Sequence, residues 1–180
     1  MATRARTLTC VSTESEHIQQ TLAHPRVVEV ATALRAAGAE HAADNIRVLP
    51  DSAPTAAAAA EQLGCDVGAI ANSLIFDASG APVLVLTSGA HRVDTDLVAT
   101  LLGVDALNRA NAEFVRTSTG QAIGGVAPIG HPQPIGTIVD IMLMNHPVVW
   151  AAAGHPHTVF PTTYDELVRI TDATVAEVGP

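Results

Sequence analysis

Ile70-Ala71-Asn72-Ser73-Leu74-Ile75-Phe76 and, after Asp77-Ala78-Ser79-Gly80-Ala81, Val83-Leu84-Val85-Leu86-Thr87 form the most informative stretch of the chain. Two apolar runs of strand length are separated by a short polar segment whose glycine accepts positive φ, which reads as a β-hairpin. Adjacent antiparallel strands do not belong to a regular doubly wound α/β fold, in which helices connect parallel strands. Around this hairpin, helices and strands alternate irregularly. The pattern predicts an α+β fold: a single domain with a mixed, curved, barrel-like β-sheet flanked by helices.

On the N-terminal side, Pro25 suits a first helical position. Val27, Val30, Leu34 and Ala37 then fall on one stripe, and Gly38 supplies a left-handed stop. Ile46 to Leu49 reads as a short strand, and Thr55 as the N-cap of an alanine-rich helix, Ala56 to Leu63, that Gly64 ends. On the C-terminal side, Asp94 or Thr95 caps a helix with Leu97, Val98, Leu101 and Leu102 expected to face inward and Gly103 at its end. Ile135 to Met142, Val148 to Ala152 and Thr158 to Phe160 are strand-like, and Thr163-Tyr164-Asp165-Glu166 is a capping box opening a last helix. Residues 1–22 lack periodicity and are expected to form an extension outside the core, leaving 23–180 as one domain.

Composition narrows the function. Of 180 residues, 48% are apolar and 15% charged, enough to bury a continuous core. Apolar runs are broken well before the roughly 18 residues a membrane span needs, so no membrane association and a cytoplasmic location are expected. Cys10 and Cys65 form no metal-type pair and read as reduced thiols. The net charge is −9, and all nine basic residues are scattered arginines, since the chain has no lysine. Extended binding to duplex DNA is therefore disfavoured, whereas contact with one small end of a nucleic acid through one or two arginines is compatible.

Thr119-Gly120-Gln121-Ala122-Ile123-Gly124-Gly125-Val126-Ala127-Pro128-Ile129-Gly130 is the other unusual stretch. Four glycines and a proline allow a backbone to approach a ligand and present its N–H groups, or form a glycine-rich turn with no ligand. The loop matches neither the dinucleotide fingerprint nor the phosphate-binding P-loop, which needs a lysine. Four histidines lie near one another in sequence. His155 and His157 share a face if they lie on a strand, but His131 and His155 each sit in a Gly-His-Pro turn, so solvated loop histidines are favoured over a metal site.

The order of these motifs, from Thr55-Ala56 through Leu63-Gly64, the Ile70 to Gly89 hairpin, Thr119-Gly120, Gly124 to Gly130, Asp140 and Ala153-Gly154, resembles the YbaK/EbsC family, relatives of the editing domain inserted in bacterial prolyl-tRNA synthetase. The resemblance spans roughly residues 25 to 178, and Gly124 to Gly130 is its most specific part. It implies a trans-editing hydrolase that removes a small non-cognate amino acid from the acceptor end of misacylated tRNA for proline, without a cofactor or metal. Prolyl-tRNA synthetase is an implied partner. A synthetase pocket rejects a smaller side chain by only about 1 to 3 kcal/mol per methylene, which is the physical need for a second, hydrolytic site.

In the family the loop from Gly124 through Gly125 to Pro128 holds the amino-acid carbonyl and the terminal adenosine. Catalysis there rests on substrate groups, an ordered water and oxyanion stabilisation. The resemblance carries a catalytic role to Asn72, Gly124, Gly125 and Pro128, and substrate contacts to Ser73, Thr119, Gly120, Ala152 and Gly154; by their place in the chain, Arg92 after Gly89 and His157 after the Gly154 turn are further candidates for substrate contact, His157 equally suiting a solvated loop histidine. Two positions depart from the pattern. Asn72 stands where the family usually has lysine and offers an amide hydrogen bond in place of a cation; it equally suits a strand residue bonded to neighbouring backbone. Ala152 replaces a serine common in cysteine-editing members, removing a hydroxyl and adding room. Arg92 is the best-placed cation for a phosphate of the acceptor end, or a surface arginine paired to Asp94 or Asp96. Asp140 reads as a turn-fixing carboxylate. The alternative to a hydrolase is a non-catalytic binding module that kept the fold and lost turnover with the lysine.

Overall fold

A computed structural model describes residues 15–179. Residues 15–22 form a helix, α1, in which Thr21 is buried and donates its hydroxyl to the His17 carbonyl at 2.9 Å. Part of the stretch expected to lie outside the core is thus packed; residues 1–14, including Cys10, lie outside the described residues. A two-residue break leads into α2 (Pro25–Ala36), which buries Val27, Val30 and Leu34 as its spacing predicts. There follow α3 (Glu40–Asp44), β1 (Arg47–Val48) and α4 (Ala56–Leu63), the last capped by the Thr55 hydroxyl and ended by Gly64 in the left-handed region.

β2 (Ile70–Ala78) and β3 (Ala81–Ser88) pair antiparallel along their whole length, from Ala71 with Ser88 to Ala78 with Ala81. The connecting turn is shorter than the sequence suggests. Ser79 and Gly80 have φ of 55° and 92°, the type I′ geometry whose twist matches that of the flanking strands. Then come α5 (Thr95–Leu102), β4 (Asn108–Arg109), α6 (Ala112–Thr119), β5 (Gly136–Asp140), β6 (Val149–Ala152), β7 (Thr158–Thr162), α7 (Tyr164–Thr171) and β8 (Thr174–Ala176).

The strand order is β1-β7-β6-β2-β3-β5-β8, with β4 on β2. Pairs β2–β6, β3–β5 and β5–β8 are parallel and the rest antiparallel. The sheet is mixed, as expected, and the ladder is open, ending at β1 and β8 rather than closing on itself.

β3 is buried on both faces. Leu84 and Leu86 enter the main core with α2, α3, α7 and Phe160, while Val83 and Val85 enter a second core with Val98, Leu107 and Ile138. The alternation of strand side chains thus makes this hairpin the shared wall of two apolar layers. A third cluster packs α4 against Leu49 and Trp150.

Two local expectations are corrected. In α5, Val98 and Ala99 are buried but Leu97, Leu101 and Leu102 are exposed, because this eight-residue helix sits at the margin of the second core and offers it only a narrow stripe. The strand expected over Ile135 to Met142 stops at Asp140, whose carboxylate accepts the Met142 N–H at 3.1 Å and opens a 3₁₀ turn over Ile141–Asn145. No helix among the described residues is long and apolar enough to cross a membrane.

The turn yields a stability prediction. Serine at positive φ is strained, whereas asparagine tolerates the left-handed region and Asn-Gly is a preferred type I′ pair. Ser79→Asn is expected to stabilise the fold by about 0.5 kcal/mol, read as a higher urea midpoint at unchanged slope.

Candidate functional site

β2 is fully paired on one edge only. On the other, β6 reaches Ile70 and Ala71, and β4 reaches Phe76 and Asp77, leaving Asn72 to Ile75 without a strand partner. The Gly89 N–H donates to the Ile70 carbonyl at 2.8 Å, so even-numbered residues of β2 bond toward β3. By that parity the peptide groups of Ser73 and Ile75 face the gap. A cavity of about 770 Å³ opens there. Its walls include Asn72, Ser73, His91, Arg92, Arg109 and Gly124, with Phe76, Leu107 and Val115 providing apolar surface.

Four of the residues singled out from sequence, Asn72, Ser73, Arg92 and Gly124, therefore meet at one cavity. The Ser73 hydroxyl is buried with no hydrogen-bond partner. Arg92 and Arg109 are exposed, and among the described residues neither forms an ion pair. Pairing of Arg92 with Asp94 is not what the structure has. Asp94 Oδ1 instead accepts the Asp96 and Leu97 N–H groups as the N-cap of α5.

The two glycines of the loop serve different purposes. Gly124 has φ +88°, and a Cβ there would meet open space, so the backbone conformation is what requires glycine. Gly125 has no such φ, but a Cβ would stand 2.7 Å from the His155 carbonyl carbon, so close packing on the Gly154 to His157 turn requires it. The loop is further tied by Gln121, which sequence reasoning passed over. Its buried side-chain carbonyl accepts the Ala127 N–H at 2.6 Å, spanning the six residues that carry Gly124 and Gly125.

Other residues carried over by the resemblance lie away from the cavity wall. Thr119 is fully buried at the end of α6, donating to the Val115 carbonyl at 2.7 Å and accepting from the Gln121 N–H at 3.0 Å; Gly120 is the left-handed cap of that helix. Neither lines the cavity, and both hold the end of the helix from which the loop departs. Pro128 is buried beside a second, smaller cavity bordered by His131 and Ile170. Ala152 pairs with Val159 in the β6–β7 ladder, and Gly154 is packed against the Arg26 carbonyl.

His157 also lies off the cavity. Its ring is 6.2 Å from that of His17 and 5.6 Å from that of His155, which in turn is 4.9 Å from His24. His155 and His157 occupy a turn rather than a strand. Among the described residues no group of three or more His, Cys, Asp or Glu side chains is arranged to hold a metal ion.

Asp140 is fully buried and behaves as the turn-fixing carboxylate read from sequence. Oδ2 accepts the Ser88 N–H at 2.9 Å and the Thr87 hydroxyl at 3.3 Å, while Oδ1 accepts from Met142. It joins the ends of β3 and β5 and stands 3.3 Å from Nδ1 of His91, a cavity residue that no local sequence signal marked.

The sequence matches the aminoacyl-tRNA editing domain family over residues 50–170. A solved candidate trans-editing enzyme for prolyl-tRNA synthetase is similar in fold, with a TM-score of 0.79 and 39% identity over 87% of this chain and 98% of that one. The hypothetical protein APE2540 superposes with a TM-score of 0.75 at 28% identity, covering 84% and 99%. Among curated sequences, the uncharacterized protein YwhH of Bacillus subtilis is 31% identical over 64% of this chain and 74% of its own length. The proline–tRNA ligase of Geobacter sulfurreducens is 34% identical over 53% of this chain, a match spanning only 17% of the ligase.

The histidines make stability depend on pH. Burial pushes His155 below its ordinary value of 6.5, assisted by the neighbouring His24, His157 and His17. Burial does the same to His131, partly offset by its hydrogen bond with the Ala127 carbonyl. The unfolded chain then binds more protons than the native one just below pH 6.5, so the stability present above that value is lost as pH falls toward the native titration. The urea midpoint is expected to drop between about pH 7 and about pH 5, and the double variant His131→Gln/His155→Gln to flatten the curve.

Proposed function

This chain belongs to the aminoacyl-tRNA editing domain family, and from that premise we propose that it is a deacylase acting in trans. Its proposed substrate is tRNA for proline esterified with a small non-cognate amino acid. The observation that carries this reading is the unpaired stretch of β2 that lines one cavity with Gly124. Unsatisfied peptide groups suit an aminoacyl ester, whose ammonium, carbonyl and ribose hydroxyls offer complementary donors and acceptors. The volume is that of a small-ligand site, sufficient for an aminoacylated terminal nucleoside and too small for a duplex.

The reaction is hydrolysis of a carboxylic ester. The site supplies orientation and polar groups where negative charge develops on the carbonyl oxygen. Asn72 donates an amide hydrogen bond from the position usually held by lysine, and Arg92 and Arg109 provide the positive charge for acceptor-end phosphates. In a chain of net charge −9 these two arginines act locally, so binding is weak and salt-sensitive. Prolyl-tRNA synthetase, which already holds the tRNA, would supply the missing affinity by presenting the acceptor end.

The test is deacylation of tRNA for proline charged separately with alanine, cysteine, serine and proline. One non-cognate ester is expected to be hydrolysed and the prolyl ester spared. Gly124→Ala, which places a methyl group at a residue of positive φ and so strains the loop, is expected to slow the reaction at least about 10-fold. Inert wild-type protein, with activity gained in Asn72→Lys, would support the non-catalytic binding module instead.

The charge argument has its own readout. Each of Arg92→Ala and Arg109→Ala is expected to reduce the slope of log affinity against log salt by roughly 0.7. Tighter tRNA retention is expected when the synthetase is added at physiological salt; unchanged retention would remove the partner.

A further inference from the structure

Whatever removes a proton from the attacking water must reach the cavity and be held there. Among the described residues the cavity wall contains one imidazole, His91. Its backbone is fixed, because the His91 N–H donates to the Ser88 carbonyl at 2.9 Å and the Ser88 hydroxyl is itself bonded to the Gly68 carbonyl. Its Nδ1 is buried and has no hydrogen-bond partner, and the Asp140 carboxylate lies 3.3 Å away. That carboxylate is immobilised by three other donors and is wholly excluded from solvent. The reachable remainder of the ring, 17% of the side chain, carries Nε2 and belongs to the cavity wall.

From this arrangement, and resting on the deacylase reading above, we infer that His91 is the general base of the hydrolysis and that Asp140 is its positioning residue. The separation of 3.3 Å lacks the alignment of a hydrogen bond, and a small rotation of the imidazole closes it as the ring becomes cationic. Asp140 selects the tautomer with the proton on Nδ1, leaving the Nε2 lone pair free, and its fixed negative charge stabilises the imidazolium.

In the step, Nε2 takes a proton from water as the water oxygen bonds to the ester carbon and the carbonyl π pair moves onto its oxygen. Collapse restores the carbonyl and breaks the bond to the ribose oxygen, which takes the proton back from the imidazolium. The products are the free amino acid and the tRNA hydroxyl, so His91 ends as it began. This assignment gives a chain without lysine a catalytic group of its own.

The ionisable groups near His91 come from several elements. Asp140 on β5 is 3.3 Å away, Tyr164 of α7 interacts with that carboxylate, Arg92 and the α5 cap Asp94 follow His91 in the chain, and Arg109 shares the cavity wall.

The experiment is single-turnover deacylation of the ester that the wild-type protein hydrolyses, from about pH 5.5 to about pH 8.5, for wild type, His91→Ala, His91→Gln and Asp140→Asn. Affinity for a non-hydrolysable amide-linked aminoacyl-tRNA and the urea midpoint are measured in parallel. His91→Ala and His91→Gln are expected to lose at least about 100-fold in rate, with affinity and midpoint retained, and to lose the rise in rate with pH that is expected of wild type on its acid side. Asp140→Asn is expected to lower the rate and to shift that limb; should it fail to fold, the His91 variants decide alone. Wild-type rate and pH profile in His91→Ala would overturn the assignment while leaving the deacylase reading intact. A wild-type protein that binds the amide analogue yet hydrolyses none of the four esters would overturn both.

Discussion

One edge of β2 is satisfied along its whole length by β3, whereas the other is satisfied only at its two ends, and the cavity is a consequence of that asymmetry. Buried peptide groups must be paired, so a gap in a central ladder has to open to solvent or to a ligand. Here β6 closes the gap at Ala71 and β4 closes it at Phe76, and a cavity of about 770 Å³ opens between them. The rigidity of that opening comes from β3 behind it, whose side chains are buried in two cores at once. Neither face of the hairpin can shift without disturbing packed apolar layers.

Polar anchoring concentrates on the same wall. Asp140 brings a negative charge into the interior, which is tolerable because three donors converge on its two oxygens and His91 stands next to it. The same bonds set the end of β3, the turn that carries His91 and Arg92, and the start of the 3₁₀ segment. A carboxylate with a structural role and an imidazole facing the cavity thus share one site, and the structural role is what gives the imidazole a fixed orientation.

The glycine loop contributes to the cavity lining through two different constraints. Gly124 is demanded by backbone conformation and Gly125 by the nearness of the His155 turn, while Gln121 bridges the loop to Ala127. Thr119 and Gly120 end the supporting helix. The segment therefore presents a shaped backbone to the cavity and spends most of its side chains on holding that shape.

Local chemistry was largely legible in the sequence. Thr55, Asp94 and Thr163 cap helices, Gly64 and Gly103 end them, and Ile70 to Thr87 forms the hairpin, because each of these outcomes depends on residues a few positions apart. The short helix α6 was missed although Asn111 and Gly120 bound it, since its apolar stripe reduces to Val115 and a partly buried Phe114. The family, too, was readable from the order of motifs. What the sequence by itself determined is thus the hairpin, the helices with strong caps and apolar stripes, and their kinship. Only the tertiary structure decided that His91 would meet Asp140, that His157 would join other histidines away from the cavity, and that Leu97, Leu101 and Leu102 would remain exposed. Those outcomes depend on which elements pack together across long separations in sequence, and no local rule carries that information.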